Sequence, residues 1–471
     1  MWEALVQLDR GRPGLADQLI DALRQAVADG RLAPGTHLPS TRALAADLKL
    51  SRGVVVEAYE QLVAEGRLLS RQGAGTVVAP LIREPVERRA ADTPDKVPDR
   101  PRTLLRPGVP DLGMFPRAAW RRVYERTLTR MADSVLDYGE PSGAWRLRAE
   151  LASYLGRVRG ARLEPGAVIV TTGAAQGFAV LAAALRAGGA TAIGFEEPGS
   201  YGVRGHLESH GLRLVPVPVD GDGLDVAALD RSGAPAVFVT PAHQFPTGVV
   251  LAPARRAALV EWARRTGGLI VEDDYDAEFR YDRDPVGCLQ GLAPDAVAYI
   301  GSVSKALAPA LRLGWLAVPA EWREAVAERK AWADLGGPVL EQLAFAELLA
   351  GGGYDRHLRR TRLEHRRRRD ALVTALRRHL PGLRISGVAA GLHLVVELPD
   401  GVDDEALAER ARAAGLGPLP LSRMRLGSGG PPGLVLGYAA NPPGELETAV
   451  SLLGKLVTAS RARDAVTSVG D

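Results

Sequence analysis

The chain has 471 residues, 46% of them hydrophobic and 24% charged, a soluble globular composition too long for one ordinary core. A net charge of +3 is too small to mark a polyanion binder by bulk charge, and no apolar run is long enough to span a bilayer. The single cysteine, Cys288, excludes an internal disulfide and a zinc–thiolate cluster.

The N-terminal MWEALVQLDRGRPG carries acids where a secretory signal would be apolar, so a cytoplasmic protein is expected. Leu15 to Asp29 has apolar residues at helical spacing and ends at Gly30, Pro34 and Gly35. Ser40 is placed to cap a second helix, Thr41 to Leu48, and Ser51 a third, running to Glu65 before Gly66. Two short helices joined by a tight turn outline a helix-turn-helix. RLLSRQGAGTVVA then reads as a hairpin around Gly73 and Gly75. The run LPSTRALAADLKLSRGVVVEAYEQLVAEGRLLSRQGAGTVV resembles the GntR class of winged helix-turn-helix DNA-binding domains. That resemblance implies a double-stranded DNA operator as partner, met by Arg42, by Ser51, Arg52 and Gly53 at the start of the recognition helix, and by Gln72 and Gly73 in the wing. Helix N-termini and small residues let backbone N–H groups approach phosphates, and arginine either neutralises phosphate or reads guanine. Acids and bases balance across residues 1–78, nine of each, so any basic face there is local.

Residues 79–103 are rich in proline and charge and read as a linker. From Leu104 the pattern becomes helices alternating with β-branched strands: Val168 to Thr172, Thr191 to Phe195, Leu214 to Val219, Ala236 to Thr240, Leu269 to Glu272, Ala298 to Gly301 and Leu313 to Val318. Such alternation predicts an α/β domain with a mostly parallel sheet, and the strands HLVVEL and LVLGYA predict a smaller C-terminal α/β lobe. The expected division is 1–78, 79–103, 104–458 and a frayed tail, 459–471.

Lysine is scarce, five residues in all, and Lys305 stands in SVSKALAPALRLGW among hydroxyls and before an arginine. A lysine held neutral in a pocket is a nucleophile toward the aldehyde of pyridoxal phosphate. Ser302, Ser304 and Arg312 suit that cofactor's phosphate, although a capped helix with a solvated lysine reads the same way in isolation. VTTGAAQGF turns from strand into helix and offers the Ala174 and Ala175 amides to an anion. VEDDYDAEFRY ends a strand in carboxylates, EEPGSYG supplies Tyr201, and PAHQFPTG makes a further strand-end loop, all on one sheet edge.

Residues 104–458 resemble a fold-type I aminotransferase, and both halves together resemble the MocR subfamily of GntR regulators, which bind pyridoxal 5'-phosphate and control transcription. By resemblance Lys305 condenses with the cofactor, Asp273 pairs with its pyridine nitrogen and Tyr275 bonds its phenolic oxygen. Arg312, Ser302, Ser304 and the Ala174 and Ala175 amides take the phosphate. Tyr138, in DYGEPSGAWRLR, matches a position that reaches the partner subunit's phosphate site, which implies a homodimer. Three departures stand out. Tyr201 lies one residue after the usual stacking aromatic, at which Ser200 stands; Phe245 replaces the asparagine of the NPTG motif; and Val435 or Leu434 occupies the place of the arginine that grips a substrate carboxylate.

The expected function is a pyridoxal-phosphate-dependent transcription regulator that senses the cofactor itself and controls vitamin B6 synthesis genes, using the large domain as sensor. Sensing of an amino compound such as 4-aminobutyrate or taurine, and a working aminotransferase with a DNA-binding appendage, are the alternatives. The basic run Asp355 to Leu372 is expected to be a solvated helix, and Cys288 a small buried hydrophobe. No metal is expected, since His37, His206 and His393 show no ligand spacing.

Overall fold

Apolar residues at helical spacing along Leu15–Ala28 turn one stripe inward, burying Leu19, Leu23, Ala26 and Val27. The Ser40 hydroxyl accepts the Ala43 N–H at 3.2 Å to start the helix Thr41–Asp47, and the Ser51 hydroxyl accepts the Val54 N–H at 3.4 Å to start Arg52–Ala64. Each such cap stabilises by about 1 kcal/mol. The helices close on Leu44, Val55, Ala58 and Leu62, and the Tyr59 hydroxyl donates to the Pro39 carbonyl at 3.0 Å. Leu68–Arg71 and His37–Leu38 both pair antiparallel with Gly75–Val78, forming the wing. The computed structural model describes residues 2–6, 8–71, 75–80, 103–276, 278–281, 286–387, 390–427 and 429–467. Its chain divides into two compact units, Met1–Asp99 and Arg100–Asp471.

The second unit is built on an eight-stranded sheet. Its order is Val168–Thr171, Gly314–Ala317, Val297–Ser302, Leu269–Asp273, Ala236–Val239, Ala192–Glu197, Arg213–Asp220 and Gly223–Leu224. Pairing is parallel from Val297–Ser302 through Arg213–Asp220. The strand Gly314–Ala317 runs antiparallel to both its neighbours, and Gly223–Leu224 is an antiparallel edge. Central strands are buried on both faces, so they read as continuous apolar runs rather than alternating ones. Beyond the strand end at Asp273, the buried Asp274 carboxylate is held by Arg159 at 2.7 and 2.9 Å and by the Tyr299 hydroxyl at 2.5 Å. Removing one partner of such a pair strands a buried charge, at a cost of about 3–5 kcal/mol.

The smaller lobe is an antiparallel sheet ordered Ile385–Ser386, His393–Glu397, Gly433–Gly437 and Leu419–Pro420. Two expectations change here. The final helix, Pro443–Thr467, continues past Thr458 where fraying was expected: Leu453 and Val457 extend its buried stripe, and the Arg410 guanidinium donates to the buried Ser460 hydroxyl. The basic run lies in Gly353–His379, which is not solvated all round. His357, His365, Arg368 and Arg369 are buried; Arg368 pairs with Asp111 at 2.6 Å and Glu364 at 2.8 Å, and Arg369 lies over the Tyr281 ring. Its exposed positions alternate with structural cations, a pattern that composition alone does not separate.

His365 packs 4.8 Å from Phe279 with neither ring nitrogen bonded, and burial, followed by the Arg368 charge, holds its imidazole down at about 4. The unfolded chain therefore binds this proton first, and stability falls as pH drops from about 6.5 toward 4. A shift of this size is worth at most roughly 3 kcal/mol. His365→Leu is expected to shrink the difference in urea midpoint between pH 7 and pH 5; an unchanged difference would show that His365 titrates alike in both states.

Candidate functional site

In the winged-helix unit the arginines separate by partner. Arg24 binds Asp21 and Glu65, Arg31 binds Asp29, and Arg67 binds Glu65. Hydrogen bonding from Arg24 is the first cause that holds the Glu65 carboxyl down at about 2. Arg42 and Arg52 are exposed and have no ion-pair partner among the described residues, and Ser51 and Gly53 are exposed beside Arg52. Acids thus neutralise other arginines and leave the recognition-helix start free. Gln72 and Gly73 lie outside the described residues.

In the larger unit the strand-end loops enclose a cavity of about 310 Å³. Lys305, Asp273, Tyr275, Arg312, Ser302, Ser304, Ala174 and Ala175 all line it, together with Ser200, Phe245 and His393. The parallel register explains the convergence: Asp273 pairs with Ile300, so the acid and the segment carrying Ser302 and Lys305 leave adjacent strands at the same end. Gly173, at φ +87°, starts the helix Ala174–Ala187 without any side-chain cap, so the first N–H groups remain open to an anion. The Arg312 guanidinium closes over this turn and donates to the Thr172 carbonyl. A Cβ on Gly173 would stand 2.9 Å from both terminal Arg312 nitrogens.

Burial lowers the Lys305 pKa, opposed by the charges of Asp273 and Asp276, which favours the neutral, nucleophilic amine. The Lys305 Nζ donates to the Gly108 carbonyl at 2.6 Å. Burial, then the Asp274 and Asp276 charges, raises Asp273 well above the ordinary carboxyl range. Asp273 Oδ1 is buried with no hydrogen-bond partner. A protonated ring nitrogen would satisfy that oxygen, so the residues present fit pyridoxal phosphate: an acid for the ring, an amine for the aldehyde, and an arginine with open amides for the phosphate. Tyr275 keeps its proton, because burial and then Asp276 and Asp273 oppose its ionisation.

Tyr201 is not among the cavity-lining residues. Ser200 caps the helix Tyr201–Ser209 and lines the cavity with Gly202, while the Tyr201 ring, 47% exposed, lies between the guanidiniums of Arg204 and Arg423 at 5.2 and 5.0 Å. The one-residue offset turns the ring away, since neighbouring helical positions face different directions. Tyr138 is 85% exposed in a loop with Asp137 and Gly139. Val435 is fully buried against Leu421, Met424 and Val395, with Phe245 and Leu419 packed on that cluster. Leu434 is buried too, so both residues expected at the place of a carboxylate-binding arginine are apolar and closed off from solvent.

Sequence reasoning missed a buried cluster beside Tyr275. His243, Asp276 and His393 bring potential ligand atoms within 4.8 Å of one another, although His393 showed no useful spacing in the chain. The His in PAHQFPTG and the second acid after the strand were the available signals; only the fold makes them neighbours.

A winged helix with an unpaired arginine at its recognition-helix start, and an aminotransferase-type cavity centred on a lysine, define a DNA-binding unit joined to a pyridoxal-phosphate fold. The chain matches the bacterial regulatory proteins of the gntR family over residues 15–78 and the aminotransferase class I and II family over residues 109–422. It belongs to the GntR transcriptional regulators of the MocR type, in which these two domains are fused. It is 34% identical over 457 residues to the probable rhizopine catabolism regulatory protein MocR of Rhizobium meliloti, covering 93% of this chain and 92% of the relative. It is 36% identical over 431 residues to the pyridoxine biosynthesis transcriptional regulator PdxR of Corynebacterium glutamicum, covering 90% and 92%. Among solved structures, LysN, the alpha-aminoadipate aminotransferase of Thermus thermophilus complexed with N-(5'-phosphopyridoxyl)-L-leucine, superposes with a TM-score of 0.70 at 26% identity. That match covers 77% of this chain and 94% of the other. The gntR-family domain implies DNA binding and the aminotransferase fold implies pyridoxal phosphate binding. No helix among the described residues is long and apolar enough to cross a membrane.

Gly173→Ala is expected to displace Arg312 and to raise the dissociation constant for pyridoxal phosphate by roughly tenfold or more, as befits loss of a charge-assisted phosphate contact. Equilibrium dialysis measures it; an unaltered constant would remove Arg312 from the phosphate site.

Proposed function

We propose that this regulator senses pyridoxal phosphate itself and that its attachment at Lys305 switches the operator affinity of the winged helix, with vitamin B6 synthesis genes as the target. When bound, the cofactor supplies an aldehyde that condenses with an amine and a ring that withdraws electrons. Lys305 takes the aldehyde, Asp273 the ring nitrogen, Tyr275 the phenolic oxygen, and Arg312, Ser302, Ser304 and the Ala174 and Ala175 amides the phosphate. A homodimer brings Tyr138 of each chain to its neighbour. One observation carries the reading: the eight residues assigned to the ring, aldehyde and phosphate line the cavity, while Val435 and Leu434, either of which takes the place of the substrate-gripping arginine, are buried and apolar. Orientation by a carboxylate clamp is worth several kcal/mol, so turnover without it drops by orders of magnitude while cofactor binding keeps its contacts. The name of the PdxR relative agrees with this target.

The second reading, an amino compound as effector, is favoured by Arg423, which is exposed, stacked on Tyr201, and without an ion-pair partner among the described residues. The 2-aminoadipate transaminase of Thermus thermophilus, 28% identical, belongs to this side of the comparison. A titration separates the readings. Pyridoxal phosphate, then candidate amines, are added to apo-protein on its own upstream DNA. Pyridoxal phosphate alone is expected to change affinity or footprint, and Lys305→Ala to abolish both that change and the visible absorbance of the bound cofactor. A response to an amine with none to pyridoxal phosphate would overturn the cofactor-sensor reading.

Recognition through the helix start gives a separate expectation. Arg52→Ala weakens operator binding and lowers the logarithmic salt slope by roughly one, the share of a single phosphate contact. Cofactor content should stay the same. Equal slopes would move Arg52 off the phosphate backbone, and equal affinities would take it out of the interface.

A further inference from the structure

Behind the phenolic side of the cavity lies a polar cluster without an assigned task. The Tyr275 Oη stands 2.9 Å from His243 Nδ1, and the same nitrogen stands 3.0 Å from Asp276 Oδ2. His243 and Asp276 are almost wholly buried, 2% and 1% exposed at their side chains. His243 Nε2 is buried and has no hydrogen-bond partner. Gly391 closes over the pair at φ +79°; a Cβ there would stand 2.1 Å from His243 Cε1 and 2.6 Å from Asp276 Oδ2, so the backbone is shaped to admit them. His393 stacks on His243 at 5.1 Å and donates through Nε2 to the Pro246 carbonyl at 3.1 Å. Phe245 stands edge-on to Tyr275 at 6.1 Å, so the cavity's phenolic side has no amide donor at the position where related aminotransferases carry asparagine.

These distances fix where protons belong. Nδ1 faces a carboxylate, so a bare nitrogen there would set two lone pairs against each other; with a proton, Nδ1 donates to Asp276. Nε2 then carries none, which agrees with its lack of an acceptor. In this tautomer the one Nδ1–H is shared between Asp276 Oδ2 and the Tyr275 Oη, so the hydroxyl oxygen meets a proton rather than a lone pair. The tyrosyl proton is then kept off the imidazole and has two acceptors left to it, the Asp276 carboxylate and a ligand in the cavity. In the other tautomer Nδ1 is an acceptor, and the tyrosyl proton turns back onto the imidazole.

We propose that Asp276 and His243 are a positioning pair for Tyr275: Asp276 holds His243 as the Nδ1–H tautomer, and that tautomer directs the tyrosine's proton to the phenolic oxygen of bound pyridoxal phosphate. The inference rests on pyridoxal phosphate being the ligand of this cavity. It gives the cavity one oriented donor in place of the missing asparagine. Among the described residues, the charged and titratable groups that face this cluster include Asp273 and Asp276 from the strand end, Glu278 and Tyr281 just beyond it, Lys305, His393 from the smaller sheet, and Glu196. None of them supplies a second neutral donor to the phenolic oxygen.

Two substitutions of similar size test it. The amide nitrogen of His243→Asn lies near the place of Nδ1, and that of His243→Gln near Nε2. Holo-protein of each is titrated with pH while the visible absorbance of bound pyridoxal phosphate is followed, and the cofactor's dissociation constant is measured. His243→Asn is expected to keep the wild-type midpoint. His243→Gln and Asp276→Asn are expected to raise it and to weaken cofactor binding by roughly tenfold, the scale of a lost hydrogen bond to a charged oxygen. In a Tyr275→Phe background these differences should vanish, which a merely structural role of the cluster does not predict. Equal midpoints for the Asn and Gln variants, or shifts that persist in Tyr275→Phe, would overturn the pair's role even where thermal unfolding shows a stability loss. Wild-type protein that gains no visible absorbance with pyridoxal phosphate would instead overturn cofactor binding, a different and separable failure.

Discussion

Three carboxylates, Asp273, Asp274 and Asp276, leave one buried strand end within four residues, and the large unit is arranged around their neutralisation. A charge out of water is costly unless paired, and three on one short segment also repel one another. Asp274 is compensated within the chain by Arg159 and Tyr299, Asp276 by His243. Asp273 is the exception: it lines the cavity with one oxygen unpartnered, and burial, then the neighbouring acids, push its pKa up. The protein holds this acid in a state that a cationic ring relieves.

The same strand end shows why the fold can lose catalysis and keep ligand binding. The residues proposed for the cofactor come from the central sheet and its loops, whereas the position expected to grip a substrate lies in the smaller sheet. There Val435 pairs with Val395 and packs on Leu421 and Met424. The loop that carries Met424 is anchored independently: the Gly199 N–H donates to the Met424 carbonyl at 2.8 Å, and Glu197 accepts the Leu426 N–H at 2.8 Å. An apolar residue at 435 leaves these contacts and the cofactor partners in place. A change of function here needs no change of fold.

Local patterns made much of this legible. Gly173 before a helix, Asp273 at a strand end and Lys305 followed by Arg312 keep their meaning within a few residues, because strand, turn and helix start are short-range features. The capped helices and the wing are of the same kind. What escaped depends on distance in the chain: His243 meets Asp276 across 33 positions, and Arg368 meets Asp111 across 257. No periodicity signals such a pairing. Composition misled in two places, at the basic helix, whose buried arginines look like its exposed ones, and at the C-terminus, where the helix runs on. Tyr201 illustrates the sharpest limit, since a single residue of offset decides whether an aromatic faces the cavity or the solvent.

A ligand shifts a conformational equilibrium only as far as it interacts differently with the two states, so the proposed sensor needs a contact that the cofactor consumes. The segment that follows the connector from the DNA-binding unit provides one. It is fixed at Leu105 by Asn441 at 3.1 Å, at Asp111 by Arg368, and at Met114 by Arg360 at 2.9 Å, none of which involves the cavity. Between these anchors the Gly108 carbonyl accepts from Lys305 Nζ at 2.6 Å. If the proposed cofactor engaged Lys305, the amine would no longer donate to that carbonyl, a hydrogen bond worth about 0.5–1.5 kcal/mol from a neutral donor. Passed on in full, a difference of this size would change operator affinity by roughly two- to tenfold. This stretch, the first described one after the connector in the chain, is thus held at both ends and touches Lys305 in its middle.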